Sequence, residues 1–282
     1  MKHAPLSPAA IPPDPAAFFE ALDVAGAPRD LVALGGTLEP DTLVAAYRAG
    51  CFPWPPSGRH AAALTRSARR LARSGQVPVL AGSDGLVPWC SPEPRAVLLP
   101  GTLAVSRSLR QRLRRCGWET TVDEAFARVT AACADRDETW ITGRMQEAYG
   151  ALHERGVAHS VEVWDDDRLV GGLYGVLTGR VFSGESMFHR ETDASKVALV
   201  DLVVRLCEGG VTVLDTQQET GHLASLGQVV VARRDYVAAL RLLRDEPGTL
   251  PGGRLAADRL ATRPRPALAG ATPDQDEPPV VR

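Results

Sequence analysis

Hydrophobic and polar positions follow two different periods along this chain, and the change of period separates predicted helices from predicted strands. Apolar residues recur at helical spacing after residue 106, where the hydroxyls of Ser106 and Thr142 are placed to cap two helices. Alternation with period two follows in three consecutive segments, which are separated by turns at 165–167 and 178–179. The predicted helices are 41–49, 61–73, 106–115, 123–134, 142–156, 194–207 and 234–244, and the predicted strands are 159–164, 169–177, 180–188, 211–217 and 229–232.

The order of these elements predicts an α+β fold. Helices come first, an antiparallel meander follows, and a β-α-β unit closes the series, which is typical of a mixed sheet covered by helices. We expect a small N-terminal domain over 1–90 and a mixed-sheet domain over 91–246. From residue 247 onward Pro and Gly dominate and the periodicity ends, so 247–282 is predicted to be a disordered tail.

Composition limits the classes of protein that this chain can belong to. No apolar run reaches the roughly 18 residues of a membrane span, and the N-terminus lacks the apolar core of a secretory signal. We therefore predict a cytoplasmic protein without a membrane partner. Its 5 cysteines are scattered without a CxxC pair, which argues against a disulfide framework and against a structural zinc site.

The cations are unevenly placed. The net charge of −2 does not indicate a nucleic-acid partner. A surface that binds nucleic acid must therefore be a local basic patch. All but two of the cations are arginines, and the segment 57–87 is among the most basic in the chain. The predicted helix 61–73 carries an apolar face and, largely opposite it, Arg66, Arg69, Arg70 and Arg73. Such a face is often merely solvated.

Three stretches break the rules of ordinary core structure. Glu185 lies within an apolar strand, Asp215 and Gln217 end a buried strand, and His222 follows after a short loop. Acids are rarely buried without a partner, and strand ends commonly carry the sites of α/β proteins. Other interpretations stay open, since Glu185 can pair with an arginine across the sheet, Asp215 can cap a turn, and His222 can be an ordinary loop histidine.

Nine short blocks, in one order along the chain, resemble the leucyl/phenylalanyl-tRNA–protein transferase family. They are distributed across 32–243, and agreement of several blocks in order is far more specific than any single motif. The blocks are 34–36, 46–54, 91–98, 139–142, 159–164, 184–188, 194–196, 215–217 and 222–227.

The resemblance implies both a fold and a reaction. The fold is a small N-terminal domain joined to an acetyltransferase-like (GNAT-like) domain. Members carry Leu, Phe or, less readily, Met from aminoacyl-tRNA to proteins that begin with Arg or Lys, which marks those proteins for degradation through the N-degron pathway. The reaction is aminolysis of an ester by an α-amine, so no metal or redox cofactor is expected, and we expect a monomer.

The resemblance also implies roles for particular residues. Asp215 polarises Gln217, whose side-chain carbonyl orients the attacking amine, while Glu185 pairs with the cationic side chain of the substrate or with its amine. The implied amino-acid pocket is Leu173, Phe182, Met187, Leu199, Leu206 and Leu214. The residues implied near the terminal adenosine of the tRNA are Trp54, Trp140, Tyr47 and Tyr149. The expected phosphate contacts are Arg107, Arg110, Arg112, Arg114 and Arg115, joined as a hypothesis by the helix with Arg66 and Arg70.

The chain departs from the family pattern in places, and three rival functions deserve weight. Cys90 stands where many relatives have Trp, Leu173 and Leu206 where relatives can have Met and Phe, and 57–87 is unusually long. An acetyl-CoA acetyltransferase would need a pyrophosphate-binding Gly turn after the strand at 180–188, which is absent. A peptidoglycan aminoacyltransferase usually has a duplicated domain, and a non-catalytic tRNA-binding module would not need Glu185, Asp215 and Gln217 together.

Overall fold

The computed structural model describes residues 14–82, 85–136 and 139–262. The helices are α1 (Pro15–Glu20), α2 (Pro40–Arg48), α3 (Ala61–Arg73), α4 (Arg107–Leu113), α5 (Phe126–Ala134), α6 (Gly143–Glu154), α7 (Ala194–Glu208), α8 (Gly221–Ala224) and α9 (Arg233–Leu243). The strands are β1 (Leu31–Gly35), β2 (Phe52–Pro53), β3 (Val79–Leu80), β4 (Pro88–Cys90), β5 (Arg95–Leu98), β6 (Glu119–Val122), β7 (Ala158–Asp165), β8 (Arg168–Thr178), β9 (Val181–His189), β10 (Val213–Gln217), β11 (Val229–Val231) and β12 (Leu255–Ala256). None of these helices is long and apolar enough to cross a membrane.

Two sheets organise the described residues. A four-stranded sheet has the order β2-β4-β1-β3, and an eight-stranded sheet has the order β11-β5-β10-β9-β8-β7-β6-β12. In the larger sheet β9 and β10 run parallel, while the neighbouring pairs are antiparallel. The predicted mixed α/β architecture is therefore confirmed.

The larger sheet is covered on both faces. Successive residues of β8 point to opposite faces, so Tyr174 joins one buried cluster with residues of α5 and α6, while Leu173 joins a second cluster with residues of α7. Gly171 lets the start of α7 lie close to β8, because a Cβ there would come within 2.5 Å of the Ala194 Cβ. This close approach fixes the first turn of α7 beside the end of β9.

Most predicted helices and the three-stranded meander are confirmed, including α3 at its predicted bounds and α6 with the Thr142 cap. The helix predicted from 123 begins only at Phe126. Asp123 adopts a φ of 62°, outside the helical region, and its carboxylate accepts from the Ser160 amide at 2.8 Å and contacts the His159 Nδ1 at 2.7 Å. A contact between distant segments thus overrides the local helical pattern.

The predicted disordered tail is wrong for its first part. Residues 247–262 are ordered, with β12 and a 3-10 helix at Ala257–Ala261, whereas 263–282 lie outside the described residues. The buried guanidinium of Arg205 donates to the carbonyls of Pro251, Gly252 and Gly253 at 2.7–2.9 Å. A tertiary contact therefore holds a Pro/Gly segment that has no periodicity of its own.

The segment 57–87 adds structure to the smaller sheet. Its helix α3 packs Ala68 with Leu34 and Val77, and its strand β3 pairs in parallel with β1 at the sheet edge. Residues 83 and 84 lie outside the described residues. The segment is thus an added helix and edge strand.

Arg205→Ala should destabilise the fold strongly, because Arg205 and Asp201 form a buried ion pair at 2.8 Å, with side chains 1% and 0% exposed. The substitution leaves the buried Asp201 with Arg259 as its remaining ion-pair partner among the described residues and takes the donor from three carbonyls at 251–253; removing one member of a buried pair costs up to about 3–5 kcal/mol. Urea unfolding monitored by circular dichroism measures this loss. Arg168→Ala, which removes an exposed arginine paired with Asp165, is the control and should cost less than about 1 kcal/mol. Equal losses in the two variants would contradict the assignment.

Candidate active site

A cavity of about 330 Å³ lies where β9 and β10 separate. The parallel pairing of these strands runs from Val213–Val181 to Asp215–Ser183, and the residues that follow on both strands, Glu185 and Gln217 among them, line the cavity. Apolar side chains form most of the remaining wall. The cavity therefore joins an apolar space to a small polar floor at a strand end.

Both strands carry a β-bulge at the cavity. On β9, Tyr174 pairs with Ser186 and Gly175 with Gly184, so Glu185 is an extra residue in the ladder. On β10 the register shifts between Asp215 and Gln217. A bulge redirects a side chain that regular alternation would place elsewhere, and bulges are common beside active sites. The two irregularities aim the side chains of Glu185 and Gln217 at each other.

Asp215 is fully buried and accepts hydrogen bonds from three side chains and one main-chain amide. Arg95 donates to its two oxygens from Nε at 2.8 Å and Nη2 at 2.6 Å, which is a bidentate ion pair. Tyr236 donates at 2.8 Å and Ser183 at 3.3 Å. The Gln217 amide donates to Oδ1 at 3.0 Å. Asp215 thus contacts the main chain of Gln217, whereas the expected polarisation required contact with its side chain.

Gln217 and Glu185 form the polar floor of the cavity. Gln217 adopts a φ of 65°, an uncommon conformation for a residue with a side chain, and its Nε2 donates to Glu185 Oε1 at 2.9 Å. Tyr149 donates to the other Glu185 oxygen at 2.8 Å and shares a 2.5 Å hydrogen bond with Tyr47. Because the carboxylate takes the Nε2 end of the amide, the Gln217 carbonyl is left with no partner among the described residues.

The environment of Glu185 favours its neutral form. Burial raises the pKa of its carboxyl from 4.5 to about 7, the hydrogen bonds from Tyr47, Tyr149 and Gln217 oppose the rise, and the charge of Asp215 adds to it. An acid that titrates near neutrality in a cavity is typical of a functional site.

The structure places four of the six predicted amino-acid pocket residues in the cavity wall, namely Leu173, Met187, Leu199 and Leu214. Phe182 and Leu206 do not line it. Both are fully buried in the cluster beneath α7, so they support the wall from behind. The sequence pattern missed Leu202, Leu223 and Phe52, which do line the cavity.

The four aromatic residues predicted near the adenosine separate into two pairs. Trp54 and Trp140 are partly exposed and line the cavity, where both are open to a ligand. Tyr47 and Tyr149 are buried at 3% and 0% exposure, and their hydroxyls lead to Glu185. Because their rings are enclosed in the core, these two tyrosines offer no stacking face to a nucleotide, and their position near the adenosine stays a prediction.

The predicted phosphate contacts are surface residues with one exception. Arg107, Arg110, Arg114 and Arg115 are exposed on or beside α4, and Arg66 and Arg70 are exposed on α3. Arg112 is partly buried, since its guanidinium lies 4.6 Å from the Trp118 ring centroid and donates to Thr192. The Arg112 guanidinium therefore contacts residues of this protein, whereas the other four predicted α4-region arginines are exposed to solvent.

Sequence reasoning missed Arg95 and Tyr236, the two residues that complete the environment of Asp215. Arg95 is 1% exposed in the otherwise apolar strand β5. A buried arginine needs a carboxylate partner, but the sequence did not show that Arg95 is buried, because its four-residue strand is too short to be recognised. Tyr236 carried no signal, because its ring falls on an ordinary apolar face of α9.

The fold and the cavity define a protein with an apolar ligand pocket that ends on a polar floor, which is the usual form of a small-molecule site. The family model described as "Leucyl/phenylalanyl-tRNA protein transferase" matches 97–241, and that of its N-terminal domain matches 36–60. Similar proteins named leucyl/phenylalanyl-tRNA–protein transferase occur in Stutzerimonas stutzeri, at 47% identity over 78% of this chain and 88% of the relative, and in Pseudomonas aeruginosa, at 46% over 79% and 88%. The relative in Shewanella woodyi is 41% identical over 78% of this chain and 84% of its own.

The chain belongs to the leucyl/phenylalanyl-tRNA–protein transferase family, and it is a tRNA-dependent aminoacyltransferase. Among solved structures, L-PGS from Bacillus licheniformis aligns with 48% of this chain and 50% of its own, at a TM-score of 0.34 and 14% identity. That likeness is too weak to inform the site.

Glu185→Gln should change the pH dependence of stability. In the folded protein Glu185 keeps its proton up to a pKa of about 7, whereas the unfolded chain releases it near 4.5. Its contribution to stability is therefore present at low pH and lost as pH rises from about 4.5 to 7. Relative to the native protein, the variant should gain about 2–3 kcal/mol between pH 4.5 and pH 8. Urea unfolding of both proteins at the two pH values measures this, and parallel pH profiles would refute the raised pKa.

Proposed function

We propose that this enzyme transfers Leu or Phe, and less readily Met, from aminoacyl-tRNA to the α-amine of proteins that begin with Arg or Lys. The observation that carries the proposal is the hydrogen-bonded pair of Glu185 and Gln217 on the floor of an apolar cavity. The product is a protein with a new apolar N-terminal residue, an N-degron that directs it to degradation. The reaction breaks the ester bond to the terminal ribose and forms a peptide bond.

Gln217 orients the attacking amine. An α-amine has a pKa of about 8 and must be neutral when it attacks. Glu185 binds Nε2 of Gln217, which turns the carbonyl Oε1 toward the cavity, where it accepts a hydrogen bond from the amine. Asp215 does not contact the amine but positions Gln217, because it accepts a hydrogen bond from the Gln217 main-chain amide. Positioning of this kind suffices for large rate gains, because the ester is already activated.

The apolar wall selects the amino acid that is transferred. Leu173, Leu199 and Leu214 with Met187 enclose an unbranched or γ-branched side chain, and a β-branched Val or Ile would meet the polar floor near its Cβ. Apolar pockets distinguish single methylene groups by only about 1–3 kcal/mol, so the preference among Leu, Phe and Met is graded. Trp54 and Trp140 stack on the terminal adenosine, at about 1–3 kcal/mol for each base contact.

We assign residues 1–90 to a small N-terminal domain and 91–246 to an acetyltransferase-like domain, and we place the enzyme in the cytoplasm as a monomer. Since no step of the transfer changes an oxidation state or needs a Lewis acid, the proposed chemistry uses no cofactor.

Gln217→Ala should lower transfer of radiolabelled Leu from charged tRNA to a peptide with N-terminal Arg by about 100-fold, because the amine loses its orienting acceptor. The assay is run beside the same peptide with N-terminal Ala, to which the native enzyme should transfer little. Gln76→Ala removes an exposed glutamine far along the chain and serves as the control. Equal transfer to the two peptides by the native enzyme would refute the proposed specificity.

Glu185→Gln, in the same assay, separates two roles of the carboxylate. If Glu185 positions Gln217, transfer to all accepted peptides should fall by about the same factor. If it pairs instead with the substrate side chain, transfer to the Arg peptide alone should fall, and the preference over Ala should shrink. Uniform loss is the outcome that we expect from the 2.9 Å contact with Gln217.

Replacing exposed arginines on α4 by Gln should weaken tRNA binding and reduce its salt dependence. Each lost phosphate contact should lower the slope of log affinity against log salt by about 0.7–0.9. The α4 variant carries Arg107→Gln, Arg110→Gln and Arg114→Gln, and a second variant carries Arg66→Gln, Arg69→Gln, Arg70→Gln and Arg73→Gln on α3. Filter binding of charged tRNA between about 50 and 200 mM salt measures the slopes, and an unchanged slope would remove the corresponding helix from the interface.

A further inference from the structure

A second cavity, of about 660 Å³, opens at the start of α7 and is called here the α7 cavity. It shares Arg136, Met187 and His222 with the wall of the first cavity. Thr192, Ser195 and Lys196, at the first turn of α7, form another part of its lining. A ligand seated in the first cavity can therefore extend into the α7 cavity without leaving the protein surface.

The N-terminus of α7 is uncapped by any side chain. Asp193 stands at the cap position with a φ of 70° and makes no capping hydrogen bond. Its carboxylate binds Lys196 Nζ at 2.7 Å instead. The amides of Ala194 and Val197 are satisfied by main-chain carbonyls, whereas those of Ser195 and Lys196 donate to no described residue. Since α7 spans 15 residues, its first turn carries the partial positive charge of a long helix.

The Ser195 hydroxyl also lacks a hydrogen-bond partner within the described residues. Ser195 is 7% exposed, lines the α7 cavity, and its Oγ makes no hydrogen bond within the described part of the chain. The hydroxyl therefore faces the cavity while the rest of the residue is buried, and it can donate a hydrogen bond to a ligand seated there.

The charges around the α7 cavity favour an anion. Its lining holds three full cations, Arg136, Arg190 and Lys196, against the two carboxylates of Asp135 and Asp193. Two histidines, His189 and His222, add further ring nitrogens. Desolvation by burial, and after it the charge of Lys196, lower the pKa of His222.

We propose that the α7 cavity binds the 5′-phosphate of the terminal adenosine of aminoacyl-tRNA, through Ser195 Oγ, Lys196 Nζ and the free amides of the first turn of α7. The inference rests on the proposed function, because the aminoacyl ester and this phosphate belong to the same nucleotide. A helix N-terminus with an added hydroxyl and cation is a general phosphate site. Holding the phosphate fixes the ribose, so that the ester carbonyl faces Gln217.

The test compares two non-hydrolysable analogues by isothermal titration calorimetry. One is 3′-deoxy-3′-(L-phenylalanylamino)adenosine, and the other is the same compound with a 5′-phosphate. For the native enzyme the phosphate should tighten binding about tenfold or more, as expected for one or two charge-assisted hydrogen bonds. In Ser195→Ala and in Lys196→Gln the ratio of the two dissociation constants should fall toward one. Arg234→Gln, which removes the same charge from an exposed position on α9, should keep the native ratio.

Each outcome decides a different claim. A tenfold ratio that survives both Ser195→Ala and Lys196→Gln would place the phosphate elsewhere and overturn this subsite. A native ratio near one would also overturn it, while tight binding of both analogues would leave the proposed function standing. Binding of neither analogue would overturn the proposed function together with the subsite. Loss of the ratio in the two variants alone would establish the site.

Discussion

The bidentate ion pair of Arg95 and Asp215 is the interaction on which the site depends. Both side chains are almost completely buried, so each is tolerable only because the other satisfies it. Arg95 also donates to the carbonyl of Gly50 at 3.2 Å, and its guanidinium lies 4.4 Å from the Tyr236 ring centroid. One pair thus joins the N-terminal segment, β5, β10 and α9 at the point where the cavity opens. The Gln217 main-chain amide donates a hydrogen bond to Asp215, so the ion pair also fixes the position of Gln217.

The floor of the cavity uses polar groups in two layers with different tasks. Asp215 is saturated with donors and far from solvent, so its task is to hold the backbone. Glu185 has fewer donors and a pKa of about 7, so its charge can respond to what enters the cavity. This division places the adaptable acid next to the ligand and the fixed acid behind it. It also explains why Tyr47 and Tyr149, behind Glu185, are buried rather than exposed to a nucleotide.

Local signals predicted the elements whose ends are chemically marked. The Thr142 and Ser106 hydroxyls cap α6 and α4 as expected, and the turns of the meander stand where their residues indicated. Short strands such as β5 and β6 escaped prediction, because four residues show too little periodicity to distinguish them from loops. The order of 251–253 was not predicted for another reason. It depends on hydrogen bonds from Arg205, a residue some 50 positions earlier along the chain.

The sequence by itself determined the family, the mixed α/β architecture and the identity of the unusual polar residues, because these depend on composition, spacing and motifs that are local in the chain. Only the tertiary structure decided what those residues contact. Strand register decides where the bulges on β9 and β10 fall and which residue pairs with Asp215. Packing decides that the two tyrosines are buried and that Phe182 and Leu206 lie behind the cavity wall instead of lining it. A shift of one residue in register reverses which face a side chain occupies, and no local pattern records where an extra residue enters a strand.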